Sequence, residues 1–242
     1  MTNLEFSNQF DTMLSSYSNT AKFGEGASKQ EIVLDEYEKS VFLTKAQKDL
    51  VISLYTGKSS TGEAFESTEE LRRYLANLVG EAILKPITNS SGLPLGVSGT
   101  STFFTLPEDL WFITMEQVVA SNSSCGKEGV MKVYPVKQDE YQSLKDNPFR
   151  GANRRRALRL DLAEGNVEII SKYNVTTYYV RYLKELSPII LVDLPDDLSI
   201  ENISKETECQ LHEALHYNIL ERAVALAIQS KTYGVSSTNR ES

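Results

Sequence analysis

The sequence predicts an α+β protein: a helical bundle formed from both chain ends, carrying a β-rich inserted region. Three observations predict it. Amphipathic helical spacing occupies both ends of the chain, and the middle is rich in β-branched and aromatic residues. Between the first two patterns, residues 87–101 are dense in Gly, Ser, Thr and Pro and read as a long loop. The implied division is an N-terminal helical region over 1–99, a β-rich region over 100–200, and a C-terminal helix within 201–242 that packs on the N-terminal helices.

At the start of the chain Leu4, Phe6, Phe10, Met13, Leu14 and Tyr17 fall at spacings that suit one helix face, and Gly24 and Gly26 then break it. Two capping boxes follow, Asp35 with Glu38 and Thr44 with Gln47, each joining a side-chain acceptor to a residue three positions on that reaches back. They predict a short helix and then a longer one from Thr44 to Tyr55. Gly57 stops it, because glycine has no Cβ to clash at positive φ. Ser67 and Glu70 form a third box ahead of LRRYLANLVGEAIL, which predicts a helix over 68–84 with Leu71, Tyr74, Leu75, Leu78 and Val79 on one face, ended by Pro86.

After residue 101 the period changes. TFFTL, LWFITMEQVVA, VMKVYPV, RALRLDL, VEIISKY, TYYVRYL and IILVDL read as strands, with DEYQSLK as a helical turn between two of them. In RALRLDL the leucines Leu158, Leu160 and Leu162 are expected to face a core while Arg159 and Asp161 face away. AEGN turns the chain into VEIISKY. A last amphipathic helix over 212–231 uses Leu215, Ile219, Ala223, Leu226 and Ala227.

Hydrophobic content of 40% with 24% charged residues is that of an ordinary globular protein. No apolar run approaches the roughly 18 residues that suggest a membrane span, and MTNLEFSNQF lacks the pattern of a secretory signal, so the protein is expected to work where it is made or to be packaged there. Cys125 and Cys209 are too few for a disulfide framework and read as free thiols. With 33 acidic against 25 basic residues and a net charge of -8, the chain lacks the basic footprint of a dedicated nucleic-acid binder. An acidic wall would still let DNA pass without holding it.

LHEALHYN places His212, Glu213 and His216 in the H-E-x-x-H pattern of zinc peptidases. That chemistry needs a third ligand, yet the sequence holds no other histidine, and Glu221 does not match the metzincin continuation. The competing reading makes His216 a hydrogen-bonding residue beside the apolar face, with His212 at the helix cap and Glu213 favouring the positive end of the helix dipole. YTGKSS ends like a phosphate-binding loop, but Ile52 stands where its first glycine is required. No cofactor, metal or catalytic group is expected, and a zinc-dependent peptidase is the alternative function.

NPFRGANRRRALRLDL holds Arg150, Arg154, Arg155, Arg156 and Arg159, five arginines within ten positions. They suit phosphates, the lining of a catalytic pocket, a solvated face or the carboxylates of a neighbouring protein. Phe149 and Gly151 within the same stretch mark a shaped loop, and the planar guanidinium fork pairs bidentately with carboxylates.

Three segments together, LDEYEKSVFLTKAQKDLVISLYTGK, NPFRGANRRRALRLDL, and YYVRYLKELSPIILVDLP followed by HEALHYNILERAVALA, resemble the ring proteins of crAss-like phages. These are virion structural proteins of a short, podovirus-type tail. The family's last helix carries an L-H-x-x-I-L-E-R-A pattern, matched by Leu215, His216, Ile219, Leu220, Glu221, Arg222 and Ala223. The resemblance implies a non-enzymatic protein that forms dodecameric collars below the portal in the virion neck or tail, assembled in the bacterial host cytoplasm. Its partners would be copies of itself, the portal, and other ring and tail proteins, with DNA passing without sequence-specific binding and no membrane. On this reading Phe149, Arg150, Arg154, Arg155, Arg156 and Arg159 contact the next subunit or the next ring.

Overall fold

The computed structural model describes residues 1–20, 33–57, 69–87, 96–121, 128–195 and 197–238. They divide into two compact units, one of Met1–Leu78 with Leu186–Ser242 and one of Val79–Glu185. Gly24, Gly26, Lys58, Ser59, Ser67 and Cys125 lie outside the described residues.

In the first unit, α1 (Asn3–Thr20) buries Phe6, Phe10 and Leu14 at helical spacing and leaves Leu4 and Tyr17 exposed. One continuous helix, α2 (Glu36–Thr56), replaces the expected short and long pair. Asp35 caps it: its Oδ1 accepts from Glu38 N–H at 2.7 Å while Glu38 Oε2 accepts from Asp35 N–H at 3.3 Å. Gly57, at φ 71° and ψ 16°, ends it in the left-handed conformation. Lys39 of α2 is buried, and its ammonium donates to Ser7 Oγ (3.1 Å) and Asp11 Oδ2 (2.7 Å) of α1 and to Glu36 Oε1 (2.9 Å) of its own helix, using all three donors, two of which tie α2 to α1. Burial opposes that charge, but the Asp11 and Glu36 bonds outweigh it and hold the Lys39 pKa above the ordinary lysine value.

Thr44 is not a cap. It sits inside α2 in a buried polar stripe with Ser40 and Gln47, and that stripe holds a returning segment of extended chain. Ser40 Oγ accepts from Leu191 N–H (3.1 Å), Thr44 Oγ1 accepts from Ile189 N–H (3.0 Å), and Gln47 Nε2 donates to Ser187 O (2.9 Å). IILVDL is therefore no sheet strand, because helix side chains satisfy backbone groups that a ladder would otherwise serve. A single bridge pairs Ile190 with Thr207. The chain then makes a 3-10 turn at Glu213–Leu215 and closes with α5 (His216–Thr238), which buries Ile219, Leu220, Ala223, Val224 and Ala227 and packs on α2 and α1.

The expected bundle from both chain ends is corrected. Of the three segments that were to build it, 68–84 is helical only over α3 (Glu69–Tyr74), tightens into a 3-10 turn at Ala76–Leu78, and continues as strand β1 (Val79–Leu84). Gly80 explains the change. It disfavours a helix interior by about 1 kcal/mol, and in β1 it lies so close to Tyr182 that a Cβ would approach the ring within 2.9 Å. The protein is a mixed α+β fold dominated by a sheet.

That sheet is the second unit. β2 (Ser101–Thr105), β3 (Leu110–Ser121), β4 (Glu128–Pro135), β5 (Arg156–Asp161), β6 (Asn166–Ile170) and β7 (Asn174–Lys184) join β1 in the order β1-β7-β3-β4-β5-β6-β2. Every described pairing is antiparallel except β4 with β5. The Phe104 ring of β2 meets the Tyr178 ring of β7 at a tilt of 59° with centroids 5.3 Å apart, so the sheet curls and its last strand meets its second across one interior. Phe104, Val118, Met131, Ala157, Ile169 and Val180 fill that interior. The AEGN hairpin forms as expected, with Glu164 at φ 58° and Gly165 at φ 69° supplying the paired positive angles of a tight turn. α4 (Gln138–Leu144) is the expected helical turn, and its Tyr141 covers Leu158, Leu160 and Ile170.

Thr44→Val keeps the shape of the side chain and removes the hydroxyl, leaving the buried Ile189 amide without its acceptor. The expected cost is about 1–3 kcal/mol in urea unfolding, whereas Thr12→Val on the exposed side of α1 changes stability by less than about 0.5 kcal/mol.

Candidate functional site

The arginine cluster lies at the end of the connection between β4 and β5. Parallel strands need a crossover of about a dozen residues or more, and residues 136–155 supply it as α4 followed by a loop. Two asparagines shape that loop. Asn147 Oδ1 accepts from the amides of Phe149 (2.9 Å) and Arg150 (3.0 Å), and Asn153 Oδ1 accepts from Arg155 N–H (2.9 Å). Gly151 folds the chain back against α4: a Cβ there would lie 2.6 Å from Asn147 O and 2.7 Å from Leu144 O. Asn153 N–H donates to Arg156 O at 3.0 Å, which places Arg154 and Arg155 at the tip of the turn entering β5.

The five arginines then divide by environment. Phe149, 84% exposed, stands with Arg150, Arg154 and Arg155 in solvent. Among the described residues none of these three arginines has a carboxylate within ion-pair distance, although Arg73 and Arg181 each have one and Arg159 has two. Arg156 is half-buried, with its guanidinium 4.3 Å from the centre of the Tyr134 ring and Nη1 donating to Phe149 O at 2.8 Å.

Arg159 does not face away from the core; it is 8% exposed. Its Nη1 donates to Glu116 Oε2 at 2.8 Å, the Tyr178 hydroxyl donates to the same oxygen at 2.6 Å, and Nε lies 2.9 Å from Asp161 Oδ1. The expectation failed because β5 is covered on both faces: Ala157 belongs to the curled interior and Leu158 and Leu160 to the layer under α4. Burial works against the Arg159 charge, and the Glu116 carboxylate outweighs it, holding the guanidinium pKa above its ordinary value. Burial and the same carboxylate push the Tyr178 hydroxyl far up, so it remains a donor.

Sequence reasoning missed Tyr134, Glu116 and Tyr178, which are remote along the chain. Asn147 and Asn153 had a signal, since asparagine opening N-P-F and N-R-R is turn chemistry.

Each of the two histidines has a hydrogen-bonding role in the fold. His212 caps the 3-10 turn, its Nδ1 accepting from Ala214 N–H at 3.2 Å. His216 is buried against Phe6, with both ring nitrogens engaged: the Met1 amine donates to Nδ1 at 2.9 Å, and Nε2–H donates to Leu211 O at 3.1 Å. No group of three or more metal-ligating side chains occurs among the described residues. Cys209 is partly buried and donates its thiol to Gln47 Oε1 at 3.3 Å, and burial pushes its pKa up to about 11, which disfavours the thiolate.

A profile for the family described as phage tail ring protein 3/4 matches residues 1–239. The chain belongs to that family. It is 49% identical to Ring protein 3 of Bacteroides phage crAss001 over 235 residues, which cover 96% of this chain and 97% of the relative. It is also 30% identical to Ring protein 4/5 of the same phage over 234 residues, 92% of this chain and 90% of the relative. The resemblance read from the three sequence segments is correct: this is a ring protein of the crAss-like phage type, a structural component of a virion.

Two outcomes follow from the buried groups. Arg159→Met leaves the Glu116 carboxylate enclosed without its cation and lowers unfolding stability by about 3–5 kcal/mol, while Tyr178→Phe, which removes one hydrogen bond, costs about 1–1.5 kcal/mol; denaturant titration distinguishes them. Burial, foremost, depresses the His216 pKa below 6.5, so the unfolded chain binds the extra proton first as pH falls. Its contribution is complete above about pH 6.5 and declines below it. Melting temperature falls between pH 7.5 and 5.5, and His216→Gln flattens that part of the profile.

Proposed function

We propose that this ring protein is a non-enzymatic subunit of a dodecameric collar in the neck or tail of the virion, below the portal, and that the collar forms part of the conduit for DNA. The observation that carries the reading is 49% identity along almost the whole chain to a protein named as a ring protein. Its partners are further copies of the chain, the portal, and other ring and tail proteins, assembled in the host cytoplasm. DNA passes without sequence-specific contact, and the net charge of -8 supports this, since a surface that repels phosphate does not hold the duplex in transit.

The contact with the next subunit or ring runs through the arginine loop: Phe149, Arg150, Arg154, Arg155 and Arg156, with Arg159 fixing the strand behind them. Three exposed arginines without carboxylate partners among the described residues, on a net-acidic chain, support it. Acidic stretches such as LPDD at 194–197 of a neighbouring copy supply the opposite charge.

Arg154→Glu combined with Arg155→Glu tests the contact without disturbing the Tyr134 stack. Both residues are exposed at a turn tip, so subunit stability stays within about 0.5 kcal/mol, while like charges meeting at an interface cost several kcal/mol and abolish ring assembly. Electron microscopy of particles, alongside circular dichroism of the purified double variant, reads both. Normal necks in infectious particles would remove the loop from the interface. Intact rings with salt-sensitive loss of DNA contact would assign the loop to phosphate instead.

A further inference from the structure

Beneath the arginine loop, β4 and α4 border a cleft of about 310 Å³. Arg150, Arg156, Tyr134 and Ser143 line it, together with the apolar side chains of Val136 and Leu158. Ligand-holding sites begin at about 300 Å³, so this cleft suits one or two side chains and not a folded element. Arg156 is already fixed there, its guanidinium over the Tyr134 ring and one nitrogen bound to Phe149 O. Its remaining N–H donors are thus offered with little rotamer entropy left to lose. Arg150 adds a second fork with no carboxylate partner among the described residues.

Two guanidinium forks beside apolar side chains match a carboxylate on an aliphatic stem. A phosphate would use the forks and gain nothing from Val136 and Leu158. Glu140 in the same lining offsets one of the two guanidinium charges and leaves a single net positive charge, which suits one carboxylate. We infer that the cleft receives a glutamate side chain of a second copy of this chain, its carboxylate on Arg150 and Arg156 and its stem along Tyr134, Val136 and Leu158. The inference rests on the ring reading above. Charge complementarity selects the occupant, because 33 acidic against 25 basic residues leave each copy with carboxylates to offer. A ring also joins two different surfaces of identical chains, so a pocket on one face meets a different face of the next copy.

A benzophenone side chain placed at Ser143 tests this in assembled particles. Irradiation is expected to give a covalent dimer on a denaturing gel, and peptide mapping to place the link on a glutamate-bearing peptide of a second copy. Arg150→Met with Arg156→Met keeps the aliphatic stems, removes the forks and lowers the dimer yield about tenfold, the equivalent of about 1.4 kcal/mol; circular dichroism checks that the subunit remains folded. An unchanged yield overturns the pairing. So does a link to DNA, to another virion protein or to a peptide without an acidic residue, or the absence of any link, and in each case rings visible in the micrographs leave the ring reading standing. Particles in which this chain forms no ring overturn that reading itself.

Discussion

A cation enclosed in a curled sheet has few places it can go, and Arg159 takes the one that Glu116 and Tyr178 provide. An unpaired charge there would cost several kcal/mol, so β5 is confined to the register that brings the three side chains together. That register sets where the chain enters the strand. The turn bearing Arg154 and Arg155, and the stack of Arg156 on Tyr134, follow from it. A buried arginine thus positions its exposed neighbours.

The helical unit obeys the same constraint with neutral groups. Ser40, Thr44 and Gln47 recur along one face of α2 and meet the backbone of Leu191, Ile189 and Ser187. Buried backbone amides need partners, and here a helix supplies them to an extended segment that lies far along the chain. The N-terminal and C-terminal portions become one unit by this means, with Lys39 fastening α1 to α2 beside it. Residues 79–185 are left as a sheet with its own core.

The arginine loop is shaped by its own chain. Two Asx turns and a glycine without room for a Cβ hold it before any partner arrives. An interface built on such a loop loses less conformational entropy on forming than one built on a mobile tail.

Features that depend on near neighbours were determined by the sequence alone. The Asp35 capping box, the Gly57 stop, the helical turn after Gln138 and the AEGN hairpin each draw on residues within one turn of each other, where spacing and side-chain type carry the information. The family itself was legible in three segments. The arginine loop was visible as a cluster, but not its sorting into exposed, stacked and buried members. Thr44 matched a capping box and became a buried clamp, VGEAIL matched a helix and became a strand, and Arg159 matched an outward charge and turned inward. Only the tertiary structure decided these three, because each depends on a partner that local periodicity cannot register: Ile189 for Thr44, Tyr182 for Gly80, and Glu116 for Arg159.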